Sequence, residues 1–383
     1  MFWRAARLIG GTAAAAGGGW ALRALQGAPE ALGASPVEID GITKGSPHYR
    51  DGVFVNLEPA SEASLTRQQQ FLLARDIVGG SPAQQPITPV PLVTPDPSVA
   101  AGDLAATWYG HSSAMIEVDG YRILADPIWS DRCSPSRAVG PQRLHPVPTE
   151  LEALPAVDAV IISHDHYDHL DVDTIKQLAL TQRAKFFVPL GVGAHLRTWH
   201  IPADRIVELD WNESAHLGEL ELVCTPARHF SGRFLTRDLT LWSSWAIIGP
   251  RHRAFFGGDT GYTKSFTDIG SDYGPFDLTL MPVGAYHPGW PDIHMNPEDA
   301  VRAHRDVTDG IGGRRRGGSG GLLVPIHWAT FRLAPHPWSE PVERLLVAAE
   351  GEGVAVATPR PGQRIEKSQQ SHTSVTLDPW WRT

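Results

Sequence analysis

The run Ser163-His164-Asp165-His166-Tyr167-Asp168-His169-Leu170-Asp171 follows directly on Val157-Asp158-Ala159-Val160-Ile161-Ile162, and no other stretch narrows the fold as much. A short unbroken series of Val, Ile and Ala reads as a strand covered on both faces, which implies a sandwiched sheet. The polar cluster then falls where that strand gives way to a loop, the usual place for a site in such sheets. His164, His166, Asp168 and His169 crowd into six positions. The first two alternate and can point the same way on extended backbone, while Asp168 and His169 follow a turn and can face back from another side. One loop can therefore serve two neighbouring ions. A solvated loop with chance histidines explains a lone His-x-His. It does not explain this donor set of imidazoles and a carboxylate, which is the one Zn²⁺ prefers.

Three more ligand-type residues stand just beyond apolar strands: His229 after residues 221–227, Asp259 after Phe255-Phe256-Gly257-Gly258, and His327 after residues 322–326. Singly, each reads as a strand-end histidine satisfied by backbone or an aspartate in a Gly-rich turn. Together with the loop they make seven His and Asp residues at strand ends, enough for two metals. Two Zn²⁺ with Asp168, a bridging Asp259 and a hydroxide leave a cationic site suited to an anionic substrate.

The surrounding pattern gives a mixed α/β sheet system with helices outside. Residues 107–118 and 121–126 read as a hairpin closed by Asp119-Gly120. A Pro-, Ser- and Arg-rich loop to Pro155 is long enough to be functional. Strands follow at 185–189, 205–209, 219–225, 239–248, 253–256, 278–283 and 322–326, with helices at 172–180, 193–199, after Pro297 and after Pro337. With 383 residues, 42% hydrophobic and 20% charged, the chain is globular and can hold one large sandwich plus extensions. A formal net charge of -9 argues against nucleic acid as a partner. Cys133 and Cys224 are too few for a disulfide scaffold; buried thiols are the default and pairing in an oxidising compartment the alternative.

Residues 1–34 read as a signal-like or membrane-proximal leader, with Arg4 and Arg7 ahead of an uncharged Gly- and Ala-rich run, although a plain disordered leader is the rival reading. Compartment follows from it: exported or membrane-associated if the leader acts, cytoplasmic otherwise. Residues 35–103 read as an extension packing on the core, with Ser64 capping a helix whose Leu65, Phe71, Leu72, Ala74 and Val78 form one buried face. Its prolines 82–97 form an extended connector. The main domain spans 104–365, with a low-complexity Gly/Arg insertion at 310–321, and 366–383 is a C-terminal tail.

The loop motif His-x-His-x-Asp-His resembles that of metallo-β-lactamase-fold hydrolases. More narrowly, residues 49–338 are similar to the N-acyl-phosphatidylethanolamine-hydrolysing phospholipase D group. The likeness rests on Asp126-Pro127-Ile128-Trp129-Ser130, the Tyr167 form of the ligand loop, Pro226-Ala227-Arg228-His229, Gly257-Gly258-Asp259-Thr260-Gly261-Tyr262, His294-Met295-Asn296-Pro297 and Ile326-His327-Trp328. The resemblance implies a four-layer αβ/βα sandwich. It places one metal on His164, His166 and His229, the second on Asp168, His169 and His327, and Asp259 between them. Two Zn²⁺ are the expected cofactors, with Fe or Mn compatible with the same donors. It further implies attack of a metal-bridging hydroxide on a phospholipid phosphodiester, His294 beside the metals near the head group, a peripheral membrane contact and a homodimer. Arg228, Tyr167 and Trp290 are candidate substrate contacts. Rival readings are a lactone or thioester hydrolase on the same scaffold, which would keep every ligand, and a membrane-associated envelope protein with an incidental metal site.

Overall fold

The computed structural model describes residues 25, 27–61, 65–233, 236–309, 320–367 and 378–382. Two seven-stranded sheets face one another. The first runs, edge to edge, Arg364–Glu366, Leu104–Gly110, Ser113–Val118, Tyr121–Ala125, Ala159–Ile161, Lys185–Pro189 and Ile206–Leu209. The second runs Ala355–Val356, Leu322–Ile326, Leu278–Pro282, Arg253–Phe256, Ser244–Ile248, Leu220–Thr225 and Ser214–Leu217. Each sheet is half antiparallel meander and half parallel. In the first, antiparallel pairing gives way to parallel after Tyr121–Ala125. In the second the change comes at Arg253–Phe256.

Strand periodicity explains the layers. Along Ala159–Ile161, Ala159 and Ile161 enter the core between the sheets, while Val160 joins the outer cluster. In that outer cluster Ile175 and Leu178 of helix Val172–Thr181, with Val192 and Leu196 of helix Val192–Thr198, cover the first sheet. Helices Ser265–Asp272, Pro297–Asp309 and Glu340–Glu352 contribute Phe266, Ala300, Val301, Ala303, Val307, Val342 and Leu345 to the cluster that includes the second sheet. This is the expected four-layer sandwich. The Asp119-Gly120 hairpin forms as expected, with Val118 opposite Tyr121 and both turn residues at positive φ, 49° and 89°.

Several expectations are revised. The strand expected over 239–248 is confined to Ser244–Ile248, and Ser214–Leu217, Ala355–Val356, Arg364–Glu366 and helix Ser265–Asp272 are additional. The extension helix is Arg67–Gly79, and its cap is Thr66, whose side chain accepts from the Gln69 N–H. Its expected buried face is wrong in part: Phe71 is 71% exposed and Leu72 is exposed too, whereas Leu65 and Leu73 approach Gly289. The proposed cap Ser64 and most of the Gly/Arg insertion lie outside the described residues.

Residues 27–34, counted above with the leader, are packed against the folded body. Ala31 is buried, Ala34 donates its N–H to His195 Nδ1 at 2.9 Å, and Arg233 and Trp199 donate to the Ala31 and Glu30 carbonyls. At the other end, Trp380 and Trp381 of the expected tail are buried against Trp328 and Trp338. Both cysteines are buried and free. Among the described residues, no helix is long and apolar enough to cross a membrane.

Candidate metal centre

Strand ends of both sheets deliver the ligand-type residues to one point. In the first sheet, Ala159–Ile161 feeds the 163–171 loop. In the second, Leu220–Thr225 leads to His229, Arg253–Phe256 to Asp259 and Leu322–Ile326 to His327. Gly258 makes the approach close enough: its φ is 58°, and a Cβ there would meet Ser163 Cβ at 2.6 Å and the Ser243 carbonyl at 2.8 Å. Only glycine accommodates both conditions. Left-handed backbone at His111, Asp126, Ala285, His327 and Ala329 also concentrates around these loops, which is strain held by the surrounding packing.

All seven residues expected as ligands come together, in two adjacent groups. In the first, His164 Nε2 lies 2.7 Å and His229 Nε2 3.4 Å from His166 Nδ1. In the second, Asp168 Oδ2 faces His169 Nε2 at 3.5 Å and His327 Nε2 at 3.4 Å. Asp259 stands between the groups, its Oδ2 at 3.1 Å from His169 Nε2, 2.9 Å from His327 Nε2 and 3.9 Å from His229 Nε2. Donor atoms this close, drawn from imidazoles and carboxylates, can hold a metal in each group. Among the described residues, His169 Nε2, His327 Nε2 and Asp259 Oδ1 are buried and make no well-aligned hydrogen bond despite these short approaches, as expected of atoms turned toward an ion.

In three of the five histidines the outward ring nitrogen is held by another partner, which sets the tautomer that leaves the inner nitrogen free. His169 Nδ1 meets Asp126 Oδ2 at 2.6 Å, His229 Nδ1 meets the Ile293 carbonyl at 2.8 Å, and His164 Nδ1 meets Ser163 Oγ at 2.9 Å. Asp126 itself is fully buried and also accepts from the Ser163 N–H and hydroxyl. Burial alone would raise the Asp259 carboxyl, yet His169 and His327 hold it well below the ordinary range. Burial would lower His327, but Asp259 and Asp168 raise it to about 9. The ligands thus balance one another as a charged array, and a bound divalent ion would replace protons.

Sequence reasoning missed two residues of this array and one support. His111 Nε2 lies 2.9 Å from Asp168 Oδ2, and the residue groups with Asp168, His169 and His327 as a fourth donor. Its signal was a Gly-His corner inside a run that reads as continuous strand. Asp126 directly follows strand Tyr121–Ala125 and precedes a proline, and in the sequence it carries no signal beyond the motif it belongs to. Asn56, in the extension, accepts from the His229 N–H and donates to the His229 carbonyl, clamping that ligand's backbone from both sides.

The other predicted residues divide. His294 is at the site, its unpartnered Nδ1 3.8 Å from Asp259 Oδ2. Arg228 is committed elsewhere: it pairs with Asp292 at 2.9 Å and donates to the Pro59 carbonyl, tying the extension to the 292 loop. Its Nε is buried without a hydrogen-bond partner among the described residues. Tyr167 lies beneath the Arg233 guanidinium, 4.2 Å from its ring centre. Trp290 donates to the Ala285 carbonyl and rests on His287.

Residues 121–328 match the model of the beta-lactamase superfamily domain. The chain belongs to the beta-lactamase superfamily. Within that superfamily, N-acyl-phosphatidylethanolamine-hydrolyzing phospholipase D 1 of Caenorhabditis elegans is 39% identical over 257 residues, 64% of this chain and 69% of that protein. An uncharacterized protein of Mycobacterium tuberculosis is 62% identical over the whole of both chains. Among solved structures, the metallo hydrolase Igni18 of Ignicoccus hospitalis aligns with a TM-score of 0.52 at 24% identity, over 69% of this chain and 99% of that one. Superfamily membership, these relatives and the clustered donors make the protein a metal-dependent hydrolase.

Proposed function

We propose that the chain is a dinuclear zinc phosphodiesterase acting on N-acyl-phosphatidylethanolamine or a related phospholipid, releasing phosphatidic acid and an N-acylethanolamine. The observation that carries this reading is the pair of donor groups sharing Asp259, joined to 39% identity with a relative whose name states that activity. In it, His164, His166 and His229 hold one ion and Asp168, His169 and His327 the other, with His111 behind Asp168. Two such ions, when bound, would supply an activated water near neutral pH and Lewis-acid stabilisation of a phosphoryl oxygen. The chain's own part is positional. Asp126, Ser163 and the Ile293 carbonyl aim the imidazoles, and Asp259 sets the spacing between the groups. His294, at the rim, offers Nδ1 to the reacting phosphoryl group or to the departing alcohol. Phe230, whose ring centre is 4.4 Å from His166 and 4.8 Å from His229, forms an apolar wall beside the site.

Exposed Val55, Leu57, Phe71 and Leu72 on the extension that clamps His229 support a peripheral membrane contact, where a lipid substrate would be met. Homodimerisation is a further part of the reading. The test is product analysis by mass spectrometry with metal-loaded protein. N-acyl-phosphatidylethanolamine, a plain phosphodiester, a lactone and a thioester are offered in parallel, with His166→Ala as control. Release of N-acylethanolamine and phosphatidic acid, lost in the variant, is expected. Turnover of the lactone or thioester alone overturns the phosphodiesterase reading and leaves the fold untouched.

A further inference from the structure

A groove of about 930 Å³ lies between the Pro-rich connector, the 132–144 loop and the loop after His327. Arg132, Arg143 and Arg332 all line it, together with Pro86, Ile87 and Leu333. In a chain of net charge -9, three arginines in one groove are a local reversal of sign. None of them is spent on a carboxylate among the described residues. Arg132 donates to the Gly140 carbonyl and the Gln142 side chain, and Arg143 to the Ser130 and Ile128 carbonyls. Arg143 keeps Nη1 buried with no partner. Arg332 makes no hydrogen bond of its own among the described residues and lies against Gly80, where a Cβ would collide with its guanidinium. Asp171 and Asp131 lie near Arg143 without pairing with it directly, and guanidinium groups that keep donors free of a direct carboxylate contact present planar forks that match phosphate oxygens.

We propose that this groove is a phosphate-binding site separate from the metal centre, taking either free phosphate or the phosphate of an amphiphile whose apolar part lies along Pro86, Ile87 and Leu333. Ile87 is 95% exposed on its rim, an apolar side chain left uncovered by the described residues. The groove lies beside the metal centre. Arg332, Leu333 and Leu144 line both the groove and a narrow crevice of about 20 Å³ whose wall includes His327. Arg143 stacks on Phe331, whose ring packs edge-on to His111.

The test is isothermal titration calorimetry of the full metal-loaded chain with inorganic phosphate and with hexyl phosphate. Wild type is expected to show two phosphate events, one at the metals and one at the groove. Arg332→Ala should weaken the groove event at least tenfold and leave the metal event in place, while His166→Ala should do the reverse. Arg332→Lys, which keeps charge and stem but loses the fork, should bind several-fold more weakly and guards against misfolding of the alanine variant. Hexyl phosphate binding tighter than inorganic phosphate at the groove identifies an amphiphile; equal affinity identifies free phosphate. A single event that survives unchanged in both Arg332 variants overturns the proposal. Because binding is read without turnover, its failure is distinguishable from failure of the phosphodiesterase reading.

Discussion

At the scale of single residues, the site depends on small side chains and buried partners as much as on ligands. Gly258→Ala places a Cβ 2.6 Å from Ser163 Cβ on a backbone of positive φ, so either Asp259 or the His164 loop must move. Loss of about 1–3 kcal/mol of stability is expected from such overpacking and strain. Metal content per chain, measured by plasma emission, should fall with it; full occupancy in the variant would show that the loops give way at no cost to the site. His111→Ala removes the partner of Asp168 and should weaken the ion on the Asp168 side about 10–100-fold, the usual effect of losing a ligand's support. Competition with a chelating indicator measures this directly, and the His164 group should keep its affinity. The seven candidate ligands could be picked out in the sequence because they stand in one loop after an apolar strand or just beyond three others, where a polar residue has no packing reason to be. His111 was not, because nothing local distinguishes a corner between two hairpin strands from the strands themselves. The pairing of Arg228 with Asp292 could not be read for the converse reason: the partner is 64 positions away.

Among elements, helix Pro297–Asp309 shows how an outer layer is fastened. Its His304 is buried and shares a 2.7 Å hydrogen bond with Thr279 in the strand Leu278–Pro282 beneath it. Burial first, then Lys367 and Arg305 nearby, pushes this imidazole down to about 3. The unfolded chain therefore binds a proton at His304 that the folded chain refuses. The stabilisation is complete above about pH 6.5, the ordinary histidine value, and is lost as pH falls from there toward 3, by about 1.4 kcal/mol per unit. Denaturant titrations of wild type and His304→Gln at pH 7.5, 6 and 5 check this: the difference between the two should shrink or reverse on acidification. A constant difference would mean that His304 does not resist protonation. Elements with strong patterns, such as the Asp119-Gly120 hairpin, could be read from sequence because turn chemistry and alternation agree. Ser214–Leu217 and Arg364–Glu366 were not, since they are short edge strands with exposed positions that acquire their conformation from the neighbours they pair with.

The folded body is braced from two sides: the extension reads from sequence as packing on the core, whereas nothing local marks residues 378–382 as doing so. At one end, Asn56 grips His229, and Glu58 accepts from the Thr263 hydroxyl and the Lys264 N–H beside the Asp259 loop. At the other, Trp380 and Trp381 complete an aromatic cluster with Trp108, Trp328 and Trp338, in which Trp108 and Trp328 stack at 5.7 Å. Trp328 directly follows His327, so the packing that holds this ring also holds a candidate ligand. Trp380 donates to the Thr358 carbonyl, Trp381 to Glu343, and Arg382 pairs with Glu343. Removing residues 378–383 uncovers two buried indoles' worth of contact and leaves the faces of Trp328 and Trp338 to water. Each lost tryptophan is expected to cost about 3–5 kcal/mol, partly shared because the two touch. A domain of ordinary stability would lose a large fraction of its margin. The truncated chain should unfold at markedly lower denaturant, and the ion on the His327 side should be released before the other in a chelator titration. If instead the midpoint falls while both ions leave together, the C-terminal cluster stabilises the sandwich as a whole without setting the position of His327.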